Sequence, residues 1–308
     1  MLPRALLLAN PRARRALRVQ WRDAVLAVLR RRFETELIFP TSADETTQRA
    51  RQASDAAYDV VIAGGGDGTI NAVVRGLVDG PTSLGILPLG TANDLARELG
   101  IPHDPAQAAC RVVDGTVRTI DVVQINGLPF VGVGGLALVA QSALAVSRIK
   151  ERSLAARAIA NAIGGAVYRV SATANLLGRW RISDAMRIAY RAPGESGERI
   201  LELRIAALFV TNHRTAGGGI VLPVEAHPAD GVFELGIVPE RTRPSLALNF
   251  ARLSAGRSLP SGVLVPIRAV HAIVETENVD AFVADGDLLA TGRRFELSAR
   301  PSALRVIS

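Results

Sequence analysis

The chain has 308 residues, 48% of them hydrophobic and only 4% aromatic, which is enough for one large or two medium packed domains and too apolar for a disordered chain. A net charge of +7 favours anionic partners, whether nucleotide, nucleic acid or acidic lipid, although the basic residues are arginines with Lys150 the one exception, a bias that GC-rich coding produces by itself. The lone Cys110 excludes an intrachain disulfide and suits a reducing compartment, and no run of ~18 apolar residues offers a transmembrane segment. Leu6–Ala9 is too short for a signal-peptide core, so the expected location is cytoplasmic, peripheral at the inner membrane face if membranes are touched at all.

In chain order, Arg4–Ala9 reads as a first strand ending at Asn10-Pro11. Leu17, Trp21, Val25, Val28 and Leu29 then form a helical stripe. The first 32 residues carry nine arginines against the single acid Asp23, either a solvated helix face or a patch for phosphates or anionic lipid. Glu34–Phe39 reads as a second strand, with Thr41 and a helix over Asp44–Ala57 behind it. Val60–Ala63 is a short apolar run of the buried parallel kind. It leads into Gly64-Gly65-Gly66-Asp67-Gly68-Thr69 and a helix whose apolar positions are Ile70, Val73, Val74 and Leu77. Strand, glycine turn and helix make a phosphate site, because glycine lets backbone N–H groups approach an anion and the helix N-terminus adds a positive dipole end. Asp67 is unusual in an anion cradle; it suits work on Mg²⁺ or a reacting hydroxyl, or a plain N-cap.

A second unit follows: the strand Leu84–Leu87, the turn Pro88-Leu89-Gly90-Thr91-Ala92-Asn93-Asp94 and a helical LARELG. Two such turns meet at the carboxyl ends of a parallel sheet, where ligands bind in open α/β folds. Pro105–Val113 reads as helix and Gly115–Ile125 as strand. Alternation then gives way to short β-rich runs at Pro129–Val133, Met186–Arg191, Ile200–Thr211, Val232–Val238, Ala269–Glu275, Ala281–Ala284, Arg294–Leu297 and Leu304–Ile307, a sandwich-like pattern. Helical insertions are expected at Gln141–Ala172 and Pro244–Ala255.

Several chemistries are excluded. No Gly-Lys-Ser/Thr makes a Walker A loop, and the lysine, HRD and DFG set of a protein kinase is missing. HExxH, CxxC and GxSxG are absent, and four scattered histidines offer no zinc spacing.

The pair Gly65–Thr69 and Pro88–Asp94 resembles the diacylglycerol kinase catalytic-domain family, which includes soluble bacterial lipid kinases; GGDG alone is shared with NAD kinases. The resemblance implies an α/β doubly wound domain over 1-122, of the NAD-kinase and diacylglycerol-kinase kind. A β-rich lipid-substrate domain over 123-300 would follow, with the active cleft between the two and a tail, 301-308, returning to the first. It implies ATP binding by Asn10, Thr41, Gly65, Gly66, Asp67, Gly68, Thr69, Ile70, Asn71, Gly90, Thr91 and Asn93, with Asp67 organising Mg²⁺ and phosphates. Asn212, Gly217-Gly218-Gly219 and Pro223 match the family's glycine loop, otherwise a surface hairpin. Asp230-Gly231 resembles a structural Mg²⁺ loop, whose ligands map to the Asp230 side chain and the backbone carbonyls of His227 and Val232; without the family it would read as a hairpin turn.

Asp285-Gly286-Asp287 stands where the family has Asp-Gly-Glu. The resemblance makes Asp287 the general base, one methylene short of the usual glutamate, and a misplacement of about 1 Å can cost roughly 100-fold. Near residue 130 the family's asparagine is replaced by Gly132, and no acid follows, which points away from sphingoid acceptors. Gly132–Ala137 also fits GxGxxA, a weak dinucleotide signal at a point where β/α alternation has stopped. The expected activity is ATP-dependent phosphorylation of a glycerolipid hydroxyl, diacylglycerol or phosphatidylglycerol in class, in phospholipid biosynthesis. An NAD kinase-like nucleotide kinase and a catalytically degenerate nucleotide- or lipid-binding protein are the rivals. Expected partners are ATP and lipid at a membrane surface, with no nucleic acid; a homodimer stays open.

Overall fold

A computed structural model describes residues 2–11, 13, 20–152, 184–216 and 220–308. The chain divides into two compact units, Met1–Val122 with Pro301–Ser308, and Val123–Arg300. The glycine triplet 217–219, most of the Gln141–Ala172 insertion and part of the N-terminal arginine cluster lie outside the described residues.

In the first unit, β1 (Arg4–Ala9), β2 (Glu34–Ile38), β3 (Val60–Gly65) and β4 (Ser83–Pro88) form a parallel sheet in the order β4-β3-β1-β2. β3 and β4 are buried along their whole length and β1 along all but its first residue, as sheet strands covered on both faces must be. The helices are α1 (Gln20–Leu29), α2 (Ala43–Asp55), α3 (Asp67–Leu77), α4 (Asp94–Glu98) and α5 (Pro105–Asp114). α2 packs on α3 and α1 on α5, the two-sided cover of a doubly wound sheet. α2 crosses α3 tightly at Gly76, where a Cβ would lie 2.6 Å from the Thr47 carbonyl oxygen. α5 starts at Asp104, whose carboxylate accepts the N–H groups of Ala106 and Gln107, with Pro105 in the first turn. The C-terminal segment of this unit extends the sheet beside β4, Val306 opposite Leu84, and the Asp79 N–H donates to the Ala303 carbonyl at 2.8 Å.

The strand β5 (Val117–Ile125) leads into the second unit, where every described strand pairing is antiparallel. β6 (Leu128–Phe130) folds back on β5. β7 (Val133–Ala137) and β8 (Asp184–Arg191), separated by α6 (Leu138–Arg152), lie end to end between β9 (Arg199–Thr211) and the long β14 (His271–Ala284). β10 (Thr215–Ala216) pairs with β11 (Ile220–Val221). β12 (Phe233–Pro239) pairs with β9 and with β13 (Val265–Ala269), and α7 (Arg243–Ser254) joins β12 to β13. β14 runs into β15 (Asp287–Ile307), the strand whose last residues belong to the first unit. Phe130, Phe233, Phe282 and Phe295 are fully buried in the core, with Phe282 5.6 Å from Phe130 and 6.4 Å from Phe295 between ring centres.

The expected strands differ in detail. Pro129–Val133 is two strands, β6 and β7, because the Gly132 N–H donates to a side chain instead of a ladder partner. Ala269–Glu275 and Ala281–Ala284 merge into β14 across a register shift, and Arg294–Leu297 and Leu304–Ile307 merge into β15. β13 escapes prediction because it carries Pro266, which an edge strand tolerates.

Candidate functional site

The loops after β1, β3 and β4 converge at the carboxyl end of the parallel sheet. β3 ends at Gly65, whose carbonyl accepts the N–H groups of both Leu89 and Gly90. Gly66 and Gly90 meet backbone to backbone: a Cβ on Gly90 would lie 2.3 Å from the Gly66 Cα. Only a glycine at position 90 allows that approach. A Cβ on Gly65 would strike the Thr69 hydroxyl at 2.3 Å, and the Thr69 hydroxyl accepts the Asn10 side-chain amide at 3.2 Å. Asn10, at the end of β1, donates its own N–H to the Gly64 carbonyl at 2.8 Å.

Asp67 is the tie between the glycine loops. Its Oδ2 accepts the Asn93 N–H at 2.9 Å and its Oδ1 the Asp94 N–H at 2.7 Å. Asn93 presents those successive donors from a left-handed backbone (φ 52°), and its side chain bonds the Gly90 N–H and carbonyl, both at 3.1 Å. Asn93 is buried while Thr91 is exposed and Gly68 has open space where a Cβ would be. Ile70 and Asn71 are fully buried in α3, with the Ile70 N–H committed to the Gly66 carbonyl. By helix geometry the Asp67 and Gly68 N–H groups point out of the start of α3, along the rim, while the Thr69 N–H closes on the Gly66 carbonyl at 2.9 Å.

Thr41, after β2, forms part of a helix start. Ser42 caps α2 by accepting the Glu45 N–H, and the Glu45 carboxylate accepts the Thr41 N–H at 2.9 Å and hydroxyl at 2.8 Å. Those two bonds, the backbone one first, hold the Glu45 carboxyl below its ordinary range.

In the second unit, Asp285 and Gly286 are the two turn residues of the β14–β15 hairpin, both with positive φ (53° and 89°), the type I′ pattern of Asp-Gly. Asp287 is the first residue of β15, opposite Ala284 and half-buried. The Asp285 carboxylate anchors the tip, accepting the N–H groups of Gly132 at 3.0 Å and Val133 at 3.2 Å. A Cβ on Gly132 would lie 1.5 Å from an Asp285 oxygen. Asp285 is a positioning residue that the sequence reading passed over for its neighbour. The two glycines that follow are packing glycines: a Cβ on Gly134 would strike Phe282 and one on Gly135 the Leu208 carbonyl. The GxGxxA match therefore lies in an antiparallel strand, without the strand–turn–helix context of a dinucleotide fingerprint.

In the 227–232 loop, expected to hold Mg²⁺, the one side chain that would ligate the ion is already engaged. Asp230 Oδ1 accepts the Val232 N–H at 3.3 Å, and Oδ2 accepts the Arg268 guanidinium, so the loop's one carboxylate already faces a cation. Among the described residues no cluster of three or more His, Cys, Asp or Glu could hold a metal ion.

Two known families account for most of the chain. The diacylglycerol kinase catalytic domain matches residues 4–125, and the YegS C-terminal NAD kinase beta sandwich-like domain matches residues 152–308. A Pseudomonas aeruginosa protein named "Probable lipid kinase YegS-like" is 34% identical over 260 residues, spanning 83% of this chain and 78% of its own. A Bacillus subtilis protein named diacylglycerol kinase is 45% identical over 106 residues, 33% of this chain and 35% of that protein. A crystal structure of a diacylglycerol kinase from Bacillus anthracis covers 99% of this chain and 96% of its own, with a TM-score of 0.72 at 19% identity, a likeness of fold. The chain belongs to the diacylglycerol kinase catalytic-domain family, with a YegS-type C-terminal domain, and is a lipid kinase, a phosphotransferase.

Proposed function

We propose that the enzyme transfers the γ-phosphate of ATP to a hydroxyl of a glycerolipid, diacylglycerol or phosphatidylglycerol in class. The observation that carries this reading is the rim of the parallel sheet, where Gly66 and Gly90 touch without side chains and Asp67 locks the two loops together. Such a rim is rigid before substrate arrives, and preorganised backbone donors stabilise phosphate charge without reorganising.

ATP enters as its Mg²⁺ complex, in which the ion supplies charge neutralisation to the phosphates. The backbone of Gly65–Thr69 and Gly90–Asn93 binds and orients the nucleotide together with Asn10, Thr69 and Thr91, and with Thr41 from the start of α2. Asp67, holding the Asn93 and Asp94 N–H groups, sets the loop geometry. Ile70 and Asn71 back the loop from inside α3. Asp287 takes the proton from the lipid hydroxyl as the lipid oxygen–γ-phosphorus bond forms and the β–γ bridging bond breaks, releasing ADP. Its shorter reach than a glutamate is offset by the anchored hairpin from which it projects. No described helix is long and apolar enough to cross a membrane, and the lipid is proposed to be met at a membrane surface, from the cytoplasmic side.

The test is ADP release from ATP in the presence of vesicles that carry diacylglycerol, phosphatidylglycerol or neither, with NAD as a control. Stimulation by one glycerolipid supports the proposal, stimulation by NAD alone supports a nucleotide kinase, and stimulation by none a degenerate binder. Asp287→Ala is expected to lower turnover by roughly 10²–10⁴-fold. Unchanged turnover in that variant would remove Asp287 from the mechanism.

A further inference from the structure

The antiparallel pairing of β12 with β13 sets Glu234 directly opposite Arg268. The Glu234 side chain is 2% exposed, and a carboxylate so far from water needs a partner. Arg268 Nε donates to Glu234 Oε1 at 3.2 Å, while Nη2 of the same guanidinium donates to Asp230 Oδ2. One fork-shaped cation thus joins a buried strand carboxylate to the carboxylate of the adjacent turn. The turn is closed from its other side by the Val232 N–H on Asp230 Oδ1, and Gly231 supplies the positive φ of 77° that the bend requires.

We infer that the Arg268 guanidinium is the resident cation of the 227–232 loop, doing there what a bound divalent ion would do for a loop of this shape. The charges support the assignment. Asp230 and Glu234 bring two negative charges to one spot, and Arg268 answers both. A divalent ion on Asp230 would sit within a few ångströms of the guanidinium and be repelled by it. To bind, it would have to displace Arg268 from Asp230. Burial works in the same direction: it pushes the Glu234 carboxyl above its ordinary range, and Arg268 is the nearest group opposing that push. Swinging Arg268 away would strand Glu234, so the arginine is held from the strand side as well as from the turn side.

The inference does not depend on the nucleotide or the lipid, and its test contains neither. Mn²⁺ binding to the full chain is counted by electron paramagnetic resonance for the wild type, Asp230→Asn and Arg268→Gln. Thermal unfolding is followed in EDTA and in millimolar Mg²⁺. The wild type is expected to unfold at the same temperature in both media and to bind the same number of Mn²⁺ ions as Asp230→Asn. Arg268→Gln is expected to melt roughly 3–6 °C lower in EDTA and to recover part of that loss in Mg²⁺, because the two carboxylates are then free for a metal. A wild-type midpoint that climbs with Mg²⁺, together with one fewer Mn²⁺ in Asp230→Asn, would overturn the inference. So would an Arg268→Gln variant that melts like the wild type.

Discussion

At the scale of single residues, the glycines do different jobs that their letters do not distinguish. Gly90 is glycine because of Gly66, since a Cβ on Gly90 would separate the two loops, whereas one on Gly66 would only be tight at 3.2 Å. Gly132 exists for Asp285, and Gly135 for a neighbouring strand carbonyl. Gly68 has open space around it, so it tolerates a side chain where Gly90 does not. Gly90→Ala is therefore expected to destabilise the first unit by about 1–3 kcal/mol through overpacking and to abolish most kinase activity. Gly68→Ala should cost little stability, since its Cβ meets nothing. Paired thermal melts and activity assays of the two variants check this; equal losses would show that the Gly66–Gly90 contact is unimportant. Asp67 shows a carboxylate whose observed partners are backbone donors. Its two oxygens accept the Asn93 and Asp94 N–H groups of the neighbouring loop, which makes the carboxylate a clamp between the two turns.

At the scale of elements, helix starts and hairpin tips carry the information. The start of α2 is a capping box widened by one residue, with Thr41 donating twice to Glu45. The Glu45 carboxyl is lowered, so its contribution to stability is present above the ordinary glutamate range and is lost as pH falls through the lowered value. Thermal midpoints measured from neutral to acid pH should fall less for Glu45→Gln than for the wild type over that window. Parallel curves would show that the Thr41 bonds do not persist in solution. The β14–β15 hairpin belongs to the same class of device. Asp-Gly chooses the turn, and the Asp285 carboxylate then fastens it to the start of β7. This determines which backbone Asp287 projects from, and any side chain at Gly132 would displace the Asp285 carboxylate from its present seat.

At the scale of the whole molecule, the chain closes its first unit with its last residues. Ala303, Leu304, Val306 and Ile307 are buried, and Thr116 and Ser308 exchange backbone hydrogen bonds at 3.4 and 3.2 Å. Ser302 adds its N–H to the buried Asp121 carboxylate at 2.7 Å. A chain ending at Arg300 leaves the β4 edge open and uncovers those apolar side chains. Amide exchange in β3 and β4 is expected to accelerate by at least roughly tenfold on that truncation, with earlier thermal unfolding. Unaltered protection of β4 would mean that the tail is dispensable to the sheet.

Much of this could be read from residue order because its causes are local. Buried parallel strands announce themselves as apolar runs, as at Val60–Ala63 and Leu84–Leu87. Glycine turns followed by helical spacing announce strand–turn–helix units, and the change from alternating helix and strand to mostly strand from about Asp121 announces a second fold type. Other features have causes distant in the chain, and no window of sequence contains them. Gly132 and Asp285 are 153 residues apart, and only the strand pairing makes the missing side chain of one the seat of the other's carboxylate. Arg268 and Asp230 are 38 residues apart and meet because β12 and β13 pair in one register, which sets a guanidinium against the carboxylate of an Asp-Gly turn. Local letters set which backbone shapes are affordable; long-range pairing decides which charges then face one another.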